Sequence, residues 1–217
     1  MPISIDIPEA KDERVFNSAF DLLEEIGRRF SPFRDDNELA AYRRGETEAK
    51  NLSTEMKEII HGCEEAEKMT DGFFSANYEG KFNPTGYVKG WAIARAGQTI
   101  EKQGYKTYCI GAGGDILARS NGDKVWGIGI QDPRNKSKIL NMLSISNGAV
   151  ATSGTAERGE HIINPKTGKP ARGLLSITVT GPNIVIADIL ATAAFVAAKD
   201  APKLLAKHTD YTAYIVK

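Results

Sequence analysis

From Ile184 to Ala198 the chain reads IVIADILATAAFVAA, in which Asp188 is the sole ionisable side chain. A helix apolar on every face belongs inside a core. The run is shorter than the ~20 residues that a membrane span requires. Elsewhere the apolar positions are periodic. Phe16, Phe20, Leu23 and Phe30 recur at near-helical spacing between about residues 9 and 30, and Pro32 follows. A loop from Ser31 leads to a second helical pattern through Met56, Ile59, Ile60, Cys63 and Ala66, which stops near Asp71-Gly72. A third helix is predicted from about Val88 to Gln103. Beyond it, short β-branched or alternating stretches at 107–110, 125–130 and 175–180 are separated by Gly, Asn and Asp, as strands joined by turns are. Helices early and strands late predict an α+β fold rather than a regular βαβ alternation.

No repeat, low-complexity tract or linker interrupts the 217 residues, so a single domain over 1–217 is expected. Lys plus Arg equals Asp plus Glu at 28 each, which argues against a nucleic-acid or anionic-membrane partner. Cys63 and Cys109 fit no CxxC spacing and make no disulfide framework, so a reducing, cytoplasmic setting is expected. The start, MPISIDIPEAKDER, is too polar for a signal peptide, and no transmembrane segment is predicted.

Asp188 carries the chemistry of the apolar run. On a helix, Thr192 shares its face one turn later, and two hard oxygen donors side by side suit Mg²⁺ or Ca²⁺. Two structural alternatives stand beside this: Asp188 as an N-cap, or paired with a basic residue elsewhere. Gly111-Ala-Gly-Gly-Asp115 follows a predicted strand, so its backbone N–H groups can approach a phosphate or a flat ring, or simply turn the chain. Ile116 stands where a dinucleotide fingerprint needs its third glycine, and no Gly-Lys-Ser/Thr follows. Lys89, in Thr85-Gly-Tyr-Val-Lys-Gly90, lies near a predicted helix start, where it either meets an anion or flanks a capping turn. Ala151-Thr-Ser-Gly154 is followed by Arg158 and by His161-Ile-Ile-Asn-Pro-Lys-Thr-Gly168, which reads as a short strand and a turn. His161 is a structural residue or a general base. His61 and His208 share no metal-ligand spacing with it, and no G-x-S-x-G elbow occurs.

Seven segments, taken in order and spacing, resemble the ApbE-type FAD:protein FMN transferases, once described as thiamine-biosynthesis lipoproteins. They are FSPFRDDNEL (30–39), MTDGFF (69–74), NPTGYVKGWA (83–92), GAGGDI (111–116), VATSGTAERGEHIINPKTGKP (150–170), SITVTG (176–181) and ADILATAAFV (187–196). The resemblance implies a T-fold-like, mostly antiparallel sheet with flanking helices and an active site in a cleft between two lobes. It implies a Mg²⁺-dependent enzyme that moves the FMN half of FAD, its substrate, onto a Ser or Thr hydroxyl of an acceptor protein and releases AMP. An FAD pyrophosphatase and a catalytically silent FAD-binding protein are the alternatives. By the same resemblance Asp188, Thr192 and the carbonyl of Val88 are the metal ligands. Lys89, Thr152, Ser153 and Gly154 line the phosphates, with Gly113 and Gly114 nearby. Asp71-Gly72-Phe73 is a flavin-contacting turn. On chemical grounds, rather than from the resemblance, His161 is the candidate to take the proton of the incoming hydroxyl, with Lys89 as the second catalytic residue. The chain departs from the family's usual residues at Asn83 and Asn164, where Asp is common, at Phe74, where an acidic residue is common, and at Met1-Pro-Ile, which stands in place of Met-Gly-Thr.

Overall fold

The computed structural model describes every residue except Glu79, Glu157, Arg158 and Glu160, and only the backbone of Ala49 and Tyr78. Arg158, part of the 150–170 motif, therefore lies outside the described residues. Six strands form one antiparallel sheet: β1 (Ile3–Asp6), β4 (Tyr108–Ala112), β5 (Asp115–Arg119), β8 (Gly148–Gly154), β11 (Ser176–Gly181) and β12 (Thr212–Val216), in that spatial order. Among the described residues, three two-stranded ribbons complete the strands: β2 (Asn77–Tyr78) with β3 (Lys81–Phe82), β6 (Trp126–Asp132) with β7 (Asn135–Ile145), and β9 (Ile163–Asn164) with β10 (Lys169–Pro170). The helices are α1 (Arg14–Phe30), α2 (Glu38–Arg43), α3 (Thr54–Met69), α4 (Thr85–Lys102), α5 (Ile184–Ala197) and α6 (Ala201–Leu205). The fold is α+β.

The sheet is covered differently on its two faces, and the alternation of β8 shows how. Ala149 and Ala151 join the main core with α5, while Val150 joins a smaller cluster with Trp126 and Ile128 under the β6–β7 ribbon. Helix α5 packs against β8 and β11 on one side and α4 on the other, which accounts for its apolar character all round. Helix α1 covers α4. Its buried face is Val15, Ala19, Leu23, Ile26 and Phe30, so Leu23 and Phe30 lie on the core stripe as expected, while Phe16, partly buried, and Phe20, exposed, lie one position off it. Among the described residues, no helix is long and apolar enough to cross a membrane.

One irregularity positions the site. Strand β8 pairs with β11 from Ala149 to Gly154, yet with β5 only from Gly148 to Val150. Past Val150 the β5 side of β8 has no strand partner, because the β4–β5 hairpin has already turned through Gly113 and Gly114. Both glycines have positive φ, 56° and 91°, as a tight two-residue turn between twisted strands requires. The result is a notch in the sheet that opens toward α4 and α5.

Candidate functional site

Helices α4 and α5 meet at Gly90. A Cβ there would lie 3.1 Å from the Ile184 carbonyl oxygen and the Val185 Cα and 3.2 Å from the Asp188 Cβ, so only glycine lets the two backbones come this close. The approach sets the Gly90 N–H against Asp188, donating to Oδ2 at 3.1 Å. It also brings Lys89, the preceding residue, to the same carboxylate: Nζ lies 3.3 Å from Asp188 Oδ1. Asn183 is the N-cap of α5, accepting from the Val185 and Ile186 N–H groups at 2.8 and 3.3 Å. Of the structural alternatives for Asp188, the ion pair is therefore present and the N-cap is not.

A second carboxylate completes the cluster. Asp115, the first residue of β5, is fully buried, and its Oδ2 forms an ion pair with Lys89 Nζ at 2.8 Å. Its Oδ1 accepts the Thr152 N–H at 3.3 Å, at the notch where β8 has lost β5 as a partner. Two buried carboxylates thus share one ammonium. Burial pushes the Asp115 carboxyl above the ordinary carboxylate range, the nearby Asp188 charge adds to this, and Lys89 opposes it. Asp188 is raised too, by its burial, against the pull of Lys89. For Lys89, burial alone lowers the pKa, but Asp188 and Asp115 together outweigh it and hold the ammonium above the ordinary lysine range. The cluster carries a net negative charge when all three groups are ionised, so it can take a further cation.

Lys89 and Asp188 face a cleft of about 1060 Å³, bounded by α4, α5, the sheet notch and the end of the β6–β7 ribbon, with Asp115 buried behind Lys89. Its lining includes Phe73, Lys89, Gly113, Gly114, Asp188 and Thr192, and also Thr152, Ser153, Gly154 and His161. Hydroxyls are concentrated on its floor. Ser153 and Thr192 are in hydrogen-bond contact at 3.2 Å on the α5 side, and Thr152 and Thr178 at 2.9 Å on the other face of β8. Ile128, Ile130 and Ile139 from the ribbon give the opposite wall an apolar character.

Three residues expected at the site stand back from this lining. Asp71 has a left-handed φ of 51° and Gly72 one of 73°; they form the turn after α3, in which the Gly72 N–H donates to the Glu67 carbonyl at 2.8 Å. The Asp71 carboxylate binds Lys207, which holds it below the usual carboxylate range. The turn delivers Phe73 to the cleft, with the Lys166 ammonium 3.6 Å above its ring centroid. Val88 lies within α4, its N–H donating to the Pro84 carbonyl at 2.8 Å and its side chain packed on the core. His161 is exposed at the cleft, its Nδ1 3.1 Å from the Gly159 carbonyl oxygen. Asn83 and Asn164 act as turn caps. Asn83 Oδ1 accepts the Thr85 N–H and hydroxyl at 3.3 and 2.9 Å, and Asn164 Oδ1 accepts the Lys166 N–H at 2.9 Å. Aspartate caps such turns equally well, so the departures remove charge while leaving the local geometry in place.

Sequence reasoning quoted Asp115, Ser176 and Thr178 only inside motifs and gave them no role, although Ser176 and Thr178 line the cleft, and it missed the ribbon wall. Asp115 closes the Gly-Gly turn at the head of β5, Asp-Ile-Leu-Ala-Arg, and a lone carboxylate before the apolar Ile116–Ala118 was the available signal. Among the described residues, no group of three or more His, Cys, Asp or Glu side chains is placed to hold a metal ion. The Asp188 carboxylate and Thr192 hydroxyl both face the cleft and are hard oxygen donors, a pair that fits Mg²⁺ rather than a thiolate- or imidazole-seeking metal.

Known proteins share both the sequence pattern and the fold. A protein of Rhodobacter capsulatus named FAD:protein FMN transferase is 31% identical over 159 residues, covering 65% of this chain and 30% of that protein. One of the same name from Haemophilus influenzae is 28% identical over 142 residues, 59% of this chain and 41% of that one. The matched stretch thus spans less than half the length of either relative. The crystal structure of the ApbE protein from Thermotoga maritima superposes with a TM-score of 0.85 at 23% identity, over 97% of this chain and 88% of that one. The flavin transferase ApbE from Vibrio cholerae gives 0.81 at 18% identity, over 99% and 93%. The sequence model of the ApbE family matches residues 77–215, a stretch that contains Lys89, Asp115 and Asp188. The chain belongs to the ApbE family.

Proposed function

We propose that this chain is a Mg²⁺-dependent FAD:protein FMN transferase, which moves FMN from FAD to a Ser or Thr hydroxyl of an acceptor protein and releases AMP. The observation that carries the reading is the cluster in which half-buried Lys89 joins the buried carboxylates of Asp115 and Asp188 at the wall of a cleft of about 1060 Å³. That volume is just above the ~300–1,000 Å³ usual for small-molecule sites, as a dinucleotide needs. The names of the relatives support the same chemistry.

Asp188 and Thr192 would hold the cation, with the Val88 carbonyl as a third ligand by family resemblance. When bound, Mg²⁺ supplies positive charge against the diphosphate. Lys89 adds a fixed ammonium on the same side, and the Gly113–Gly114 turn and the Thr152–Gly154 segment offer backbone and hydroxyl groups to phosphate oxygens. Phe73 and the ribbon isoleucines provide an apolar surface for the flavin ring. The acceptor oxygen attacks the FMN phosphorus, and the bond from that phosphorus to the bridging oxygen breaks. AMP departs with the electron pair, and His161, exposed at the cleft, takes the hydroxyl proton.

The test is incubation with FAD, Mg²⁺ and a cognate acceptor domain, read by mass spectrometry. The expected result is an acceptor heavier by one FMN, with AMP in solution. Bound FAD with no adduct on any cognate acceptor would overturn the reading, and free FMN plus AMP without an adduct would assign the site to hydrolysis.

A further inference from the structure

The Lys89 ammonium is held by two carboxylates that differ in access. Asp188 lines the cleft, whereas Asp115 lies behind Lys89, fully buried and away from the cleft lining. Lys89 Nζ is closer to the hidden carboxylate, 2.8 Å against 3.3 Å. Asp115 is also fixed independently of Lys89, because Oδ1 accepts the Thr152 N–H. Asp188 in turn is steadied by the Gly90 N–H, so neither carboxylate depends on the lysine alone for its orientation.

We infer that Lys89 competes with a divalent cation for Asp188, and that Asp115 is the positioning residue that keeps Lys89 in the site as its counterion when the cation takes Asp188. The inference rests on the reading that Asp188 is a metal ligand, and it adds a role for Asp115. A cation arriving at Asp188 meets an ammonium on the same carboxylate. Because Lys89 has a second, nearer partner, it can release Asp188 without becoming an unpaired charge in its half-buried position. It then remains beside the cation, where both positive charges face one bound anion. Without the Asp115 charge, Asp188 would be the remaining carboxylate of the cluster for Lys89, and the ammonium would compete with the cation more strongly. Without the Lys89 charge, the competition disappears.

The two substitutions therefore push metal affinity in opposite directions, which a general loss of structure does not do. Mn²⁺ binding to the flavin-free protein, followed by electron paramagnetic resonance and checked by Mg²⁺ calorimetry, reads this directly. Lys89→Met should bind Mn²⁺ at least about tenfold more tightly than the unaltered chain, and Asp115→Asn roughly tenfold more weakly. Asparagine retains an oxygen for the Thr152 N–H, and circular dichroism with a thermal melt confirms that each variant is folded. Unchanged affinity in folded Asp115→Asn would overturn the positioning role. Unchanged or weaker affinity in Lys89→Met would overturn the competition of Lys89 for Asp188, and this arm decides the matter if Asp115→Asn does not fold. Asp188→Asn separates the two levels. If it binds Mn²⁺ as well as the unaltered chain, or if the unaltered chain binds none, the metal reading fails and the inference fails with it. If binding is lost in Asp188→Asn alone, the metal reading stands and the inference does not.

Discussion

Replacing Gly90 by alanine asks whether α4 and α5 touch as closely as the site requires. In a helix interior, alanine is favoured over glycine by about 1 kcal/mol when nothing opposes the added methyl. Gly27 in α1 is such a position, exposed and with nothing within 4 Å of an added Cβ. At Gly90 the methyl would sit 3.1 to 3.2 Å from the Ile184 carbonyl oxygen, the Val185 Cα and the Asp188 Cβ. Favourable carbon contacts lie at about 3.5–4.0 Å, and here two of the three neighbours are backbone atoms that no rotamer change can move. The helices must part by a few tenths of an ångström, at a cost of about 1–3 kcal/mol for overpacking. Gly27→Ala should therefore raise the unfolding free energy by about 0.5–1 kcal/mol, and Gly90→Ala should fall about 1–3 kcal/mol below it. Urea denaturation at equal m-value measures both. If Gly90→Ala is stabilised as much as Gly27→Ala, α4 and α5 are not in contact at this point and the positioning of Asp188 derived from that contact is wrong.

Asp188→Ala should abolish Mg²⁺-dependent FMN transfer while leaving the far-ultraviolet circular dichroism unchanged; retained turnover would make the carboxylate structural. Asn83→Ala should cost about 1 kcal/mol through loss of the cap at Thr85, whereas Asn83→Asp should cost almost nothing, as urea melts will show. Glu38 accepts from the Ser53 N–H at 2.7 Å, the Ser53 hydroxyl at 2.8 Å and Arg29 at 3.2 Å, tying α1, α2 and the start of α3 together. Its replacement by alanine should destabilise the fold by about 1–3 kcal/mol by the same assay. Burial pushes the Cys63 thiol up to about 12, with Glu64 and Glu67 adding to the shift, and it pushes Cys109 up to about 11. Both thiols should resist an aromatic disulfide reagent at pH 8 until the protein is denatured. Because the folded state keeps these protons to higher pH than the unfolded chain, their contribution to stability is intact below about pH 9 and declines as pH rises toward 11–12. Rapid labelling of the native protein would contradict this.

The long, strongly periodic elements were legible without coordinates. The predicted helices over about 9–30 and 88–103 correspond to Arg14–Phe30 and Thr85–Lys102, and the apolar run from Ile184 is α5, buried on all sides as its composition required. The α+β class followed from the same texture. Other strands lacked a local signal. β1 has four residues, and its partner β4 lies about a hundred positions away. β7, Asn135–Ile145, is largely exposed and charged at its start, so it shows no buried alternation. β8 is made of small residues whose burial depends on what packs over them. At the site, spacing paired Asp188 with Thr192, but the Lys89–Asp188 contact joins residues 99 positions apart and is made possible by a helix crossing at Gly90. The role of Asp115 escaped notice for the same reason, since its partner is brought to it by tertiary structure alone. The turn at Asp71-Gly72 was visible as a helix stop, but its direction, with Phe73 toward the cleft and Asp71 toward Lys207, was not.

A crystal structure with FAD and Mn²⁺ tests the central claim most directly, because anomalous scattering locates the metal without reference to activity. The account predicts a single strong Mn²⁺ peak coordinated by the Asp188 carboxylate and the Thr192 hydroxyl, with the FAD diphosphate beside Lys89 and the flavin ring against Phe73. FAD bound in the cleft with no metal at Asp188, or a flavin placed away from Lys89, would contradict it.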